Sequence, residues 1–63
     1  MCLSTVYEVR DGEENRLCEC VSGIKVGEGT VTLTDIMGQE LVVNGVITSI
    51  DLIKNIILLS AEV

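Results

Sequence analysis

A cysteine at position 2, directly after Met1, is the residue of this chain best placed to bind a metal ion. If Met1 is removed, Cys2 carries a free α-amine beside its thiol, and the two groups can close a five-membered chelate ring. If Met1 is retained, the thiolate can act together with a deprotonated backbone nitrogen. A sulfur and a nitrogen at a fixed distance suit square-planar nickel(II) or copper(II). The alternative is that Cys2 packs as a small apolar residue.

Cys18 and Cys20 form a second pair of thiols, separated by one residue. On a strand, side chains two residues apart share a face, so this pair could bind a soft metal or act as a redox pair. The alternative is two small residues that only pack. A disulfide between them would be strained at this spacing. Three cysteines are an odd number, so we expect reduced thiols and a cytoplasmic protein.

The composition predicts a single small all-β domain over residues 1–63. Apolar residues make up 48% of the chain, yet Tyr7 is the only aromatic residue and there is no proline. The core must therefore be built from Val, Ile and Leu, which favour strands. A chain of this size buries too little surface to be very stable alone, and it commonly gains stability from metals or oligomerisation. We therefore expect the excess of apolar side chains to form a subunit interface in a homodimer.

Charge and residue types argue against several classes of function. The net charge is −6, and only four basic residues are present, so nucleic acid is not an expected partner. There is no histidine to act as a general base, which makes an enzyme the least expected class. The apolar run over residues 46–59 is too short to span a bilayer and is interrupted by Asp51 and Lys54, so no membrane association is expected.

Alternating apolar residues and turn signals predict six short antiparallel strands. We expect a loop at residues 11–15, a bulge or bend at Ser22-Gly23, and tight turns at residues 27–29, 35–38 and 51–55. The predicted strands span residues 2–9, 17–26, 30–34, 40–43, 46–50 and 56–59.

Strands at roughly ten-residue spacing favour a small barrel that closes on itself to remove its edges. The Asn44-Gly45 pair can be read as a hairpin turn or as a bend in a strand that curves around a barrel. A helix is the main competing interpretation for residues 47–58, but their β-branched content favours strand, turn and strand.

Several segments resemble one known family, and together they cover nearly the whole chain. The matching segments are MCLSTVY at residues 1–7, CECV at 18–21, VTL at 31–33, IMGQE at 36–40, GVI at 45–47, ID at 50–51 and ILL at 57–59. The chain is similar here to the CooT-type proteins, which are small nickel-binding accessory proteins of carbon monoxide dehydrogenase maturation. Cys18 and Cys20 depart from the pattern expected for that family.

The resemblance implies an SH3-like barrel, a homodimer and a nickel(II) site that uses Cys2. It also implies a partner: carbon monoxide dehydrogenase, another nickel enzyme, or their maturation factors. A twofold axis near the N-termini would bring two copies of Cys2 to one ion, because an isologous interface places each residue opposite itself. Two alternatives remain open. One is a metal-free protein-interaction module, and the other is an RNA-binding SH3-like or Sm-like barrel, which the charge disfavours.

Overall fold

The computed structural model describes residues 3–60, and in this range the chain is all-β. The strands are β1 (Ser4–Arg10), β2 (Glu13–Val26), β3 (Thr30–Asp35), β4 (Glu40–Asn44), β5 (Val46–Asp51) and β6 (Ile56–Ser60). The predicted fold class, a small all-β barrel-like domain, is confirmed. The competing helix over residues 47–58 is wrong, because β5, a turn and β6 occupy that segment.

All six strands belong to one sheet, in the order β4-β3-β2-β1-β6-β5. The sheet does not close, so β4 and β5 form its two edges, and the prediction of a barrel that closes on itself to remove its edges is wrong. The expectation that all strands are antiparallel is wrong for one pair: β1 and β6 run parallel, with Val6 beside Ile57. The chain passes from β1 to β6 through the four intervening strands β2, β3, β4 and β5, and this long crossover permits a parallel pairing.

β2 is much longer than predicted, and it joins the two halves of the sheet. The predicted loop over residues 11–15 is only the two-residue turn Asp11-Gly12, with φ of 54° and 80°. Positive φ at both positions matches the twist of paired strands, so β2 begins at once, at Glu13. Its first part pairs with β1 and its last part with β3, and Val21 pairs with both.

The bend predicted at Ser22-Gly23 is confirmed. The register between β2 and β3 shifts between Val21 and Gly23, so Ser22 is the extra residue of a bulge. The Ser22 hydroxyl is 3.1 Å from the carbonyl oxygen of Asp35 and donates a hydrogen bond to it. The bulge lets β2 leave the half of the sheet containing β1 and enter the half containing β3.

Gly45 carries the chain from one edge of the sheet to the other. β4 and β5 do not pair with each other, so Asn44-Gly45 is not a hairpin turn. The alternative, a bend that lets one continuous segment curve around the barrel, is the observed one. Gly45 is buried, and its amide donates a 2.9 Å hydrogen bond to the carbonyl of Gly29.

The core is aliphatic, as the composition predicted. Six residues from four strands form it: Val6, Val21, Val31, Leu33, Ile57 and Leu59. Leu17, Cys18, Ile24, Val43 and Ile47 pack against this core from partly buried positions. Within residues 3–60, nine other large apolar side chains remain exposed, which is many for so short a chain.

Candidate metal centre

Cys2, the predicted metal ligand, lies outside the described residues, and its assignment stays a prediction. The structure does describe where the chain goes next. Leu3 and Ser4 are half-buried, and Ser4 opens β1 opposite Val21. The Thr5 amide donates a 2.9 Å hydrogen bond to the carbonyl of Asn55. A ligand at position 2 is therefore followed within three residues by backbone that is fixed on both sides.

The turn between β5 and β6, residues 52–55, lies next to the start of β1. Thr5 pairs with Ile56, the first residue of β6, and Ile56 pairs with Asp51, the last residue of β5. Asp51 stabilises this turn, because its Oδ1 accepts hydrogen bonds of 3.0 Å from the amides of Ile53 and Lys54. The sequence indicated the turn but not that it borders the start of β1.

Cys18 and Cys20 do not lie on a regular strand. Cys20 has a φ of 57°, in the left-handed region, and the register between β1 and β2 shifts between Ser4 and Val6 at this point. The alternation on which a shared face depends is therefore broken. Cys18 packs against the core from a half-buried position, whereas Cys20 is exposed.

The surroundings of Cys18 make it a poor thiolate. Burial raises the pKa of the Cys18 thiol, and the Asp35 carboxylate and the neighbouring Cys20 and Glu19 raise it further. Only the thiolate is a good nucleophile or metal ligand, so the raised pKa works against both roles. The Cys18 thiol is instead 3.6 Å from the carbonyl oxygen of Glu19 and donates a weak hydrogen bond to it.

No second donor set is assembled elsewhere in the described chain. Between residues 3 and 60, no group of three or more Cys, Asp or Glu side chains could hold a metal ion. The same residues form no pocket. They also include no helix long and apolar enough to cross a membrane.

The donors that the sequence offers at its N-terminal end still fit nickel(II) chemically. A thiolate and an adjacent nitrogen form a compact chelate that needs no imidazole, and this chain has no histidine. One Cys2 offers a sulfur and an adjacent nitrogen, which is fewer than the four donors of a square plane. Fold and donor set together define a small all-β protein with a candidate metal-binding N-terminus.

Comparison with known proteins identifies the family. Residues 1–60 match the model of CooT, the CO dehydrogenase accessory protein, and the chain therefore belongs to this family. It is an accessory protein rather than an enzyme. The solved structure of a protein assigned as CooT from Carboxydothermus hydrogenoformans is 27% identical in sequence, with a TM-score of 0.88 over 98% of this chain and 100% of that one. A search of curated proteins finds no match.

Proposed function

We propose that this accessory protein binds nickel(II), with one ion per homodimer, held by the Cys2 thiolates and by nearby backbone or terminal nitrogens. The observation that carries the proposal is the family match, which begins at residue 1 and so includes the Met1-Cys2 pair. The ion is cargo for carbon monoxide dehydrogenase, another nickel enzyme or their maturation factors. Binding and transfer take place in the cytoplasm.

The chemistry of the site follows from its donors. Two thiolates and two nitrogens form a plane around nickel(II), the geometry that nickel shares with copper(II). Copper(II) should compete in vitro, because affinity rises from nickel to copper along the divalent series. Zinc(II), which prefers four tetrahedral ligands, should bind less well. Protons compete for both sulfur and nitrogen, so affinity falls on acidification.

The rigid start of β1 supports a transfer role. Thr5 is tied to Asn55 only three residues after Cys2, so the ligand is joined to the barrel by a short segment. In this proposal the ion is held outside the aliphatic core, where a recipient protein can reach it. The high pKa of Cys18 leaves this half-buried thiol mainly protonated, so it competes weakly for the metal.

Native mass spectrometry with and without nickel tests the proposal. It reads the subunit number, the presence of Met1 and the metal count in one measurement. The expected species is a dimer with one nickel ion. A dimer that carries no nickel at saturating metal would favour the second candidate function, a metal-free protein-interaction module, for which the exposed apolar side chains are the supporting observation.

A further inference from the structure

We propose that β4 is the docking site for an extended, positively charged segment of another protein, which pairs with β4 as an additional strand. Addition of a strand to an open sheet edge is a common mode of peptide recognition, in which backbone hydrogen bonds supply the affinity. Docking at β4 depends on neither Cys2 nor nickel, and so lies outside the proposed function. The hydrogen bonding, the exposed side chains and the charge of β4 all favour it.

One side of the β4 backbone has no partner within residues 3–60, where β4 pairs only with β3. In an antiparallel pair, opposed residues alternate between those that bond to the neighbouring strand and those whose backbone groups point away from it. The Gly45 amide donates to Gly29 at 2.9 Å, and the Asp35 amide donates to Gln39 at 3.0 Å, which fixes this alternation. The residues whose amides and carbonyls point away from β3 are Glu40, Val42 and Asn44.

β4 also lacks the usual protections of an edge strand. Edge strands are commonly blunted by lysine, proline or a bulge, because a regular edge invites pairing with another chain. β4 pairs with β3 without a register shift, and its sequence, ELVVN, has neither lysine nor proline. At the other edge, the register of β5 shifts between Ile47 and Ser49, so Thr48 is the extra residue of a bulge. β4 is therefore the edge better suited to accept a strand.

The side chains of β4 leave apolar surface for a partner to cover. Leu41 lies opposite the buried Leu33, on the core face of the sheet, yet it is 42% exposed. Val42 lies on the other face, opposite Thr32, and is 64% exposed. An added strand contacts both faces, because its side chains alternate between them. Covering Leu41 and Val42 therefore adds a hydrophobic contribution to the backbone pairing.

Charge indicates the kind of segment that fits this edge. Between Lys25 and Lys54 the chain has four acidic residues and no basic one. Glu28 lies beyond the carboxyl end of β4, and Asp35 and Glu40 lie at its amino end. Lysine or arginine side chains at the ends of an added strand can reach these carboxylates. A second copy that paired through its own β4 would instead bring further carboxylates to the same place, which is unfavourable.

Nuclear magnetic resonance on the isotopically labelled full chain, without added metal, tests the docking. The probe is a capped synthetic heptapeptide, KTVTVTK, which should shift the amide signals of Glu40, Val42 and Asn44 and slow their hydrogen exchange. The peptide ETVTVTE should bind about tenfold more weakly, because its charges repel the same carboxylates. KTVTVTK methylated on two adjacent central backbone nitrogens should not bind, since it loses a donor on each of its edges.

Val42→Pro provides the matching test on the protein. The Val42 amide points away from β3, so proline removes a donor from the open edge and leaves the pairing with β3 intact. Val42→Thr is the control, because it keeps this amide and the preference for a strand. Val42→Pro should lose peptide binding, and Val42→Thr should retain it within about fivefold. Circular dichroism should show β-sheet in both variants.

Several results would overturn the proposal. The wild type could show no saturable shifts in β4 with millimolar KTVTVTK, or the signals that move could belong to β5. Equal binding of the methylated peptide would exclude strand addition, and this result does not require Val42→Pro to fold. Equal binding of ETVTVTE would exclude a basic partner. Slow exchange of the three amides in the protein alone, lost on dilution, would assign β4 to a second copy instead.

Discussion

The amide of Thr5 and the carbonyl of Asn55 are 2.9 Å apart, and their hydrogen bond joins the beginning of β1 to the turn that precedes β6. The same strands then run parallel, with Thr5 beside Ile56. This bond places the segment that follows Cys2 next to the most exposed aliphatic residue in the described chain, Ile53. The segment that follows the proposed metal ligand therefore lies at the same end of the sheet as this turn.

Cys20 should be replaceable by glycine with a gain in stability. Its φ of 57° is costly for a residue with a Cβ, by about 1 kcal/mol, and glycine adopts this conformation readily. Cys20→Gly should raise the midpoint of thermal unfolding, whereas Cys20→Val should lower it because a β-branched residue tolerates positive φ poorly. Thermal unfolding followed by circular dichroism gives both midpoints. Equal midpoints would show that the strain is absent.

The two described cysteines should differ in reactivity. Burial and the nearby Asp35 carboxylate raise the pKa of Cys18, whereas Cys20 is exposed. Iodoacetamide at pH 8 should therefore modify Cys20 well before Cys18, as read by peptide mass spectrometry of the Cys2→Ser variant. Faster modification of Cys18 would contradict the placement of its thiol against the core.

The raised pKa of Cys18 also predicts how stability changes in alkali. The unfolded chain loses the thiol proton near the ordinary pKa of 9.0, while the folded chain retains it to higher pH. The folded state then binds more protons, so the free energy of unfolding falls as pH rises above about 9. Urea unfolding from pH 8 to 10 measures the slope. Cys18→Ala should have a smaller slope, and an unchanged slope would exclude Cys18 as its source.

Leu33 and Leu41 provide a matched pair for testing the core. They pair directly across β3 and β4, but Leu33 is fully buried and Leu41 is 42% exposed. Leu33→Ala should cost about 2–5 kcal/mol because it leaves a cavity, which for a chain this small can abolish folding. Leu41→Ala should cost much less. Urea unfolding compares the two variants, and similar losses would show that β4 is covered to the same depth as β3.

Most strand positions were predictable because alternation and turn residues report local geometry directly, although β2 begins at Glu13 and not at Leu17. Val31 and Leu33 point inward between threonines, and the structure buries both. The parallel pairing of β1 with β6 was not predictable, since it depends on which strands meet after a long crossover. The left-handed conformation of Cys20 was also missed. No glycine or asparagine marks that position, and the bulge becomes visible only when β1 is placed beside β2.

The surroundings of the candidate site were predictable in part. A turn at residues 51–55 followed from Asp51 and Asn55, which are typical turn residues. Its position beside the start of β1 depends on tertiary pairing, which the spacing of residues along the chain does not report. Cys2 itself was chosen from its chemistry and its place in the sequence, and its role stays a prediction.

Nickel titration of the wild type and of Cys2→Ser tests the central claim most directly, with near-ultraviolet thiolate-to-nickel absorption as the signal. Cys20→Ser is the matched control, because it removes an exposed thiol elsewhere in the barrel. The wild type and Cys20→Ser should show the same band and saturate at one nickel ion per two chains. Cys2→Ser should lose the band. Equal bands and equal affinities in the wild type and Cys2→Ser would contradict the account.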